Sequence, residues 1–246
     1  MVEPDMDLWL IVSDIDDTLT GDRDALLGLW TALQARGSAV RIALNSSRPA
    51  ESVDRTIRDY FPKDFSAAAI ITGLGTEVRI GGHLLPEWSD RFGSWPRHEI
   101  VDLVLRFGHS PHPDEFQTPG KASFSVPDRH AVDILLEALS ARGLPAQAIY
   151  SGDSDLDLIA PGAGKDQAML FLARHLNVAT GRLIAAGDSG NDLAMFEAAD
   201  HAIAVGNARR ELVHTAPRYK TYFARAPHAA GVLEGLQALG VLSGEL

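Results

Sequence analysis

Two short acidic peptides, far apart in the chain, each close an apolar run. Leu8–Val12 leads into Asp14-Ile15-Asp16-Asp17-Thr18, and Leu183–Ala186 leads into Gly187-Asp188-Ser189-Gly190-Asn191-Asp192. A buried strand that ends on carboxylates at a sheet rim is the usual placement of reacting groups in an α/β protein. Side chains two apart on extended backbone share a side, so Asp14 and Asp16 can face one opening. One carboxylate can then attack while the other handles a proton, and Asp is an established nucleophile where a covalent phosphoryl intermediate forms. In the second peptide Gly187 and Gly190 permit a tight turn, while Asp188 and Asp192 offer hard oxygen donors at a helix start. Carboxylates gathered in this way repel one another unless a cation or a shared proton separates them. A divalent ion such as Mg2+, held by one or two carboxylates, waters and a substrate phosphate, matches that donor set.

Two other polar stretches bear on the same chemistry. In Asn45-Ser46-Ser47-Arg48 the Ser46 hydroxyl can donate to a phosphate oxygen and Arg48 can supply charge. Gly162-Ala163-Gly164-Lys165 looks like the end of a P-loop, but Ile159 stands where the first Gly belongs and Asp166 replaces the Ser or Thr. Asp153-Ser154-Asp155-Leu156-Asp157 starts like a calcium loop, yet it lacks the turn Gly and the closing Glu. Neither motif is present. Lys165 still opens a helix, where it can reach a phosphate as a point charge.

Hydrophobic periodicity supplies the elements that must position these groups. Strands are expected at 8–13, 40–44 and 69–71, with helices over about 22–36 and 51–60, and this alternation predicts a parallel sheet. A hairpin follows at 76–85 around Gly81-Gly82. Pro and Gly then become frequent, with helices at about 97–107 and 129–141 and strands at 122–126, 146–150 and 155–159. Alternation resumes with helices at about 165–177, 191–198 and 228–239 and strands at 182–187 and 201–205. The expected fold is α/β, a Rossmann-like doubly wound parallel core formed by residues 1–82 and 162–246. Residues 83–161 form an inserted α+β cap over it.

The chain has 246 residues and a net charge of −11, which argues against nucleic-acid or anionic-membrane partners, since both select clustered Lys and Arg. It has no cysteine, so disulfides, thiolate metal sites and a Cys nucleophile are excluded. No segment approaches a membrane span in length, and a soluble, cytoplasmic protein is expected.

In this order the D-x-D-x-T peptide, the Ser after the second strand, the Lys after the insert and the G-D-x-x-N-D loop resemble the haloacid dehalogenase-like (HAD) phosphatases. Adding Gly75-Thr76-Glu77, Asp155-Leu156-Asp157, Gly206-Asn207-Ala208 and His228-Ala229-Ala230-Gly231, the chain resembles the sucrose-phosphate phosphatase branch. One departure is Ser47-Arg48-Pro49, where that branch reads Gly-Arg-Ser, so the hydroxyl after Arg is lost. The resemblance implies a HAD-like core with a C2-type cap. It makes Asp14 the nucleophile and Asp16 the acid and then the base. Asp16 must then be protonated when substrate arrives, a state that crowding by other carboxylates favours. Mg2+ is implied as cofactor, held by the Asp14 carboxylate, the Asp16 carbonyl and Asp188, with Asp192 as ligand or support.

Ser46, Lys165 and Asn191 are implied on the phosphate oxygens, and Arg48, Thr76, Glu77 and Lys121 on the sugar. Trp88 and Trp95 are expected to pack the hinge. The expected partner is a small sugar phosphate, sucrose 6-phosphate first and mannosylfructose phosphate second, supplied by a synthase upstream to a monomer or weak dimer. A hydrolase of small sugar monophosphates and a non-catalytic sugar-phosphate sensor are the alternatives. Retention of both Asp14 and Asp16 counts against the sensor, which needs no proton shuttle.

Overall fold

The computed structural model describes residues 6–151 and 154–242; residues 1–5 and 243–246 of the expected core, and Asp153, lie outside them. The chain opens with β1 (Trp9–Ser13), α1 (Arg23–Ala35), β2 (Val40–Asn45), α2 (Ala50–Tyr60), β3 (Ala69–Thr72), β4 (Glu77–Ile80), β5 (His83–Leu84) and the short α3 (Pro86–Ser89). The insert follows as α4 (Arg97–Arg106), β6 (Ser110–Pro111), β7 (Lys121–Ser125), α5 (Arg129–Ala141), β8 (Gln147–Ser151) and β9 (Asp155–Ile159). The return comprises α6 (Lys165–His175), β10 (Leu183–Gly187), α7 (Leu193–Ala198), β11 (His201–Ala204), α8 (Arg210–Thr215), β12 (Thr221–Phe223) and α9 (His228–Ala238). The helix expected over 191–198 divides into a 3-10 turn at Gly190–Asp192 and α7.

Eight strands form the larger sheet in the order β12-β11-β10-β1-β2-β3-β4-β5. All pairings from β12 to β3 are parallel, and the β4–β5 hairpin is added antiparallel. Strand order reverses between β1 and β10, the switch point at which α/β sheets open a crevice at their carboxyl ends.

The central strand is apolar on both faces because helices cover both. Leu10 and Val12 pack with Met169 and Leu172 of α6 and Phe196 of α7, while Ile11 packs with Leu29 of α1 and Leu236 of α9. Each such buried side chain contributes about 1.5–3 kcal/mol. Asp22 caps α1, its Oδ1 accepting from the Asp24 and Ala25 amides at 2.9 and 3.0 Å.

The cap is a second sheet in the order β6-β7-β9-β8, antiparallel throughout. Period-two alternation sorts its side chains. Ala122, Phe124, Leu156 and Leu158 pack against α4 and α5 in a core of their own, whereas Lys121, Ser123, Asp155 and Asp157 line a cleft on the opposite side. Residues 83–92 pack with the larger sheet, past the division expected at 82. There β5 is its eighth strand, and buried Trp88 meets Phe92 edge to face and Phe171 at a tilt, at centroid distances of 5.4 and 4.9 Å.

The two halves of the hinge meet at Gly75. It has φ +80°, its carbonyl accepts from Trp88 Nε1 at 3.0 Å, and a Cβ there would fall 2.1 Å from the Gly164 carbonyl oxygen. Gly75→Ala is therefore expected to cost about 2 kcal/mol or more, read as a lower denaturant midpoint. An unchanged midpoint would show that the hinge backbone relaxes freely.

Candidate active site

Strand register brings the polar peptides together. Ser13 lies beside Leu44 on one side and Ala186 on the other, so Asp14, Asn45-Ser46 and Gly187-Asp188 leave the sheet at one rim. The Asp14 amide still donates to the Ala186 carbonyl at 2.9 Å. One carboxylate oxygen from each of Asp14, Asp188 and Asp192 lies within 4.8 Å of the others, and all three residues are buried.

Lys165, 3% exposed, enters this cluster from the first turn of α6. Its Nζ donates to Asp14 Oδ1 at 2.6 Å, Asp192 Oδ1 at 2.8 Å and Asn191 Oδ1 at 3.0 Å, using all three ammonium hydrogens. Asp192 Oδ2 accepts from the Asp188 and Ser189 amides at 3.1 and 3.2 Å, closing a capping box with Ser189. Both Asp192 oxygens are thus engaged, Oδ1 by Lys165 and Oδ2 within the loop. Asp188 has looser partners: Thr18 Oγ1 donates to its Oδ1 at 3.4 Å, and Arg209 Nε lies 3.9 Å from its Oδ2.

Burial pushes the Asp14 carboxyl up to about 8; Lys165 opposes the rise, and Asp192 and Asp188 add to it. Burial also lifts Asp188, to about 6, aided by Asp192 and Asp17 and opposed by Arg209 and Lys165. Burial alone would lower Lys165, but attraction to Asp14 and Asp192 outweighs it and holds the ammonium charged. Three carboxylates against one buried lysine leave two negative charges over, the complement of one divalent cation. The donors are hard oxygens, which fit Mg2+. Asp14 and Asp188 have oxygens to offer it.

Asp16 departs from expectation. Its carboxylate is half exposed, and the group against it is the Arg48 guanidinium, with Nε 2.9 Å from Asp16 Oδ2, rather than another carboxylate. Arg48 folds back from the loop after β2 and also donates to Ser52 Oγ at 3.2 Å and Thr56 Oγ1 at 3.0 Å. The neighbour that Asp16 meets is thus a cation and not the crowd of carboxylates expected. Ser46 is buried at the sheet rim, its amide bonded to the Ile71 carbonyl at 2.9 Å.

Between core and cap lies a cavity of about 260 Å³, lined by Ser47, Arg48 and Asn191 from below and His112, Lys121 and Asp157 from above. Buried Lys121 bridges the two, donating to the Ser47 carbonyl at 3.3 Å and pairing with Asp157 Oδ1 at 3.2 Å. The same Asp157 carboxylate accepts from Ser123 Oγ, and His112 Nε2 lies 3.1 Å from Asp155 Oδ1. Thr76 and Glu77 line no part of this cavity, contrary to expectation. Thr76 Oγ1 is taken up by the Gly73 carbonyl and Thr118 Oγ1 at 2.8 and 2.9 Å, and Glu77 accepts from Thr72 at 2.7 Å. Trp95 packs against both the core and the cap clusters, and its Nε1 donates to the Pro145 carbonyl at 2.8 Å.

Sheet order, inserted cap and this carboxylate–lysine cluster define a haloacid dehalogenase-like hydrolase fold. A haloacid dehalogenase-like hydrolase protein of Bacillus subtilis shares it, with a TM-score of 0.68 at 20% identity over 96% of this chain and 94% of that one. The family model described as Sucrose-6F-phosphate phosphohydrolase matches residues 8–240, and the chain belongs to that family.

The sucrose-phosphatase of Synechocystis sp., solved in complex with sucrose and phosphate, superposes with a TM-score of 0.86 at 28% identity, covering 97% of this chain and all of that one. Sucrose-phosphatase 2 of Nicotiana tabacum is 32% identical over 92% of this chain, which spans only 58% of the tobacco protein's length. The mannosylfructose-phosphate phosphatase of Agrobacterium fabrum is 30% identical over 95% of this chain and 98% of its own.

Sequence reasoning missed Asn45, whose Nδ2 donates to the Lys165 carbonyl at 2.9 Å, and Thr18 on Asp188, although both stand inside peptides it singled out. It also missed His112, Ser123 and Asp157, for which strand alternation in β7 and β9 was the available signal.

Because folding raises Asp14 and Asp188 above their ordinary 3.8, their contribution to metal-free stability is complete below that value. It falls as pH rises through about 6 and then about 8. Mg2+ competes with those protons, so it should raise the melting temperature more at pH 8 than at pH 6 and release protons on binding. An equal shift at both pH values in a thermal melt would contradict the assignment of these carboxylates as ligands.

Proposed function

We propose that this chain is a Mg2+-dependent phosphomonoester hydrolase acting on a disaccharide phosphate, sucrose 6-phosphate first and mannosylfructose phosphate second. The observation that carries this reading is the buried Asp14–Lys165–Asp192–Asp188 cluster at the sheet switch point, directly beneath a polar cleft roofed by the cap. Support for the sugar comes from the family and from relatives whose names specify sucrose phosphate or mannosylfructose phosphate. The Synechocystis relative holds sucrose and phosphate.

In the proposed reaction, Asp14 attacks phosphorus as the bond to the sugar oxygen breaks, giving an aspartyl-phosphate. Asp16 gives its proton to the departing oxygen, then takes one from the water that attacks the same phosphorus and frees Asp14. Arg48 must swing off Asp16 for either transfer, and the cleft it lines offers the incoming substrate as its new partner. Ser46 and Asn191 hold the phosphate oxygens that do not leave, together with Lys165, which must release one of its three acceptors to do so. Asp14, the Asp16 carbonyl and Asp188 would hold Mg2+, which would supply neutralisation of phosphate charge. Asp192 serves as support, since both its oxygens already orient Lys165 and the Asp188 amide.

Lys121, Asp157 and Arg48 are the sugar contacts of choice, and Thr76 and Glu77 act in the hinge. The absence of cysteine suits a cytoplasmic site downstream of a sugar-phosphate synthase.

Asp14→Asn should abolish Mg2+-dependent phosphate release, by about a thousandfold or more, with the fold retained by circular dichroism. Surviving activity would remove Asp14 as nucleophile. In a substrate panel, kcat/KM should favour the disaccharide phosphates over glucose 6-phosphate, and Lys121→Met should raise KM for the disaccharides about tenfold. Equal turnover of glucose 6-phosphate would identify a general sugar phosphatase. Phosphate release by the wild type would itself dispose of the sensor alternative.

A further inference from the structure

Gly206-Asn207-Ala208 and His228-Ala229-Ala230-Gly231 take no part in the chemistry above, yet both peptides reach one atom, the carbonyl oxygen of Asp17. Asn207 Nδ2 donates to it at 2.7 Å, and His228 Nδ1 lies 3.0 Å from it. Asn207 Oδ1 accepts from the His228 amide at 2.8 Å, so the two residues also fix each other. Since a carbonyl only accepts, His228 must carry its hydrogen on Nδ1.

The backbone around this contact is held away from ordinary conformations. Asp17 has φ +59° and His228 φ +52°, both in the left-handed region, which non-glycine residues keep only where surrounding bonds over-determine them. Gly21, with φ +121°, gives the imidazole its room: a Cβ there would fall 2.4 Å from the ring. The turn at Asp17 directs Thr18 inward onto Asp188 and leaves the Asp17 side chain outside.

We propose that Asn207 and His228 are positioning residues, clamping the Asp17 carbonyl so that the Asp14–Thr18 loop holds its nucleophile in line for attack. The proposal rests on the phosphatase reading for its kinetic consequence and on geometry alone for the clamp. Neither residue touches Asp14, Asp188 or Lys165 in the contacts described, so its effect travels through the loop backbone. Misplacing a reacting group by about 1 Å costs on the order of a hundredfold in rate.

The test compares Asn207→Asp, which keeps the acceptor for the His228 amide but loses the donor to Asp17, with His228→Ala and the conservative His228→Gln. Steady-state kinetics on the preferred sugar phosphate should show kcat reduced about tenfold or more in the first two, with KM within about threefold. His228→Gln, which restores an N–H donor, should recover part of the loss. Native-state hydrogen exchange should show the amides of residues 15–20 opening about tenfold faster in the first two variants, with β2 and β3 unchanged.

Full kcat in Asn207→Asp, or exchange that rises uniformly across the chain, would overturn the clamp. Should wild-type protein release no phosphate at all, the phosphatase reading fails by itself. The exchange measurement then still decides the clamp, and unchanged exchange at residues 15–20 overturns it.

Discussion

An ammonium buried between two carboxylates is the interaction on which this structure turns. Taking Lys165 out of water costs several kcal/mol, and that cost is offset only because Asp14, Asp192 and Asn191 meet all three of its hydrogens. The dependence runs both ways. Asp14 and Asp192 could not be ionised side by side beneath the cap without a cation between them. Lys165 also stands where the chain returns from the insert, at the start of α6, with its carbonyl held by Asn45. The charge that organises the carboxylates is therefore fixed to the same backbone that terminates the hinge.

The acidic cluster and the roof of the cleft come from two sheets built on different rules. The central strands of the core sheet are parallel and apolar along their length, and β1 and β10 turn polar where they end, so Asp14 and Asp188 gather on one rim. The cap sheet is antiparallel and alternates, apolar toward α4 and α5 and polar toward the cleft. Its inner surface can change residue by residue without disturbing either core. Lys121 joins the two bodies, since it pairs within the cap through Asp157 while its ammonium reaches the Ser47 carbonyl beside Ser46 and Arg48.

Long periodic elements and strand-end carboxylates were legible in the sequence because each is a local pattern. Leu8–Val12 before Asp14, and Leu183–Ala186 before Asp188, announce buried strands whose ends carry charge. The short elements α3, β6, α8 and β12 were not legible, since neither a clear period nor a continuous apolar run marks them. The segment 83–92 read as the beginning of the insert because Pro and Gly multiply there, yet its place is decided by where the Trp88 indole packs, which no local pattern encodes. Pair identities were hidden for the same reason. Nothing in Asp14-Ile15-Asp16 reveals that Arg48, coming from the next strand's loop, lies against Asp16. Thr76 and Glu77 looked like sugar contacts from their hinge position, whereas Thr118 and Thr72 take up their polar atoms.

The pairing of β1 with β10 has a consequence for how the molecule comes into being. These neighbours at the centre of the sheet are encoded far apart in the chain, with Thr18 and Asp188 touching at a sequence separation of 170. During synthesis the first half of the core must wait, with β1 an open hydrophobic edge, while the entire cap emerges and folds on its own apolar centre. Such non-local closure is slow compared with helix or hairpin formation. The moment that completes the sheet is therefore also the moment that first brings Asp14 and Asp188 together.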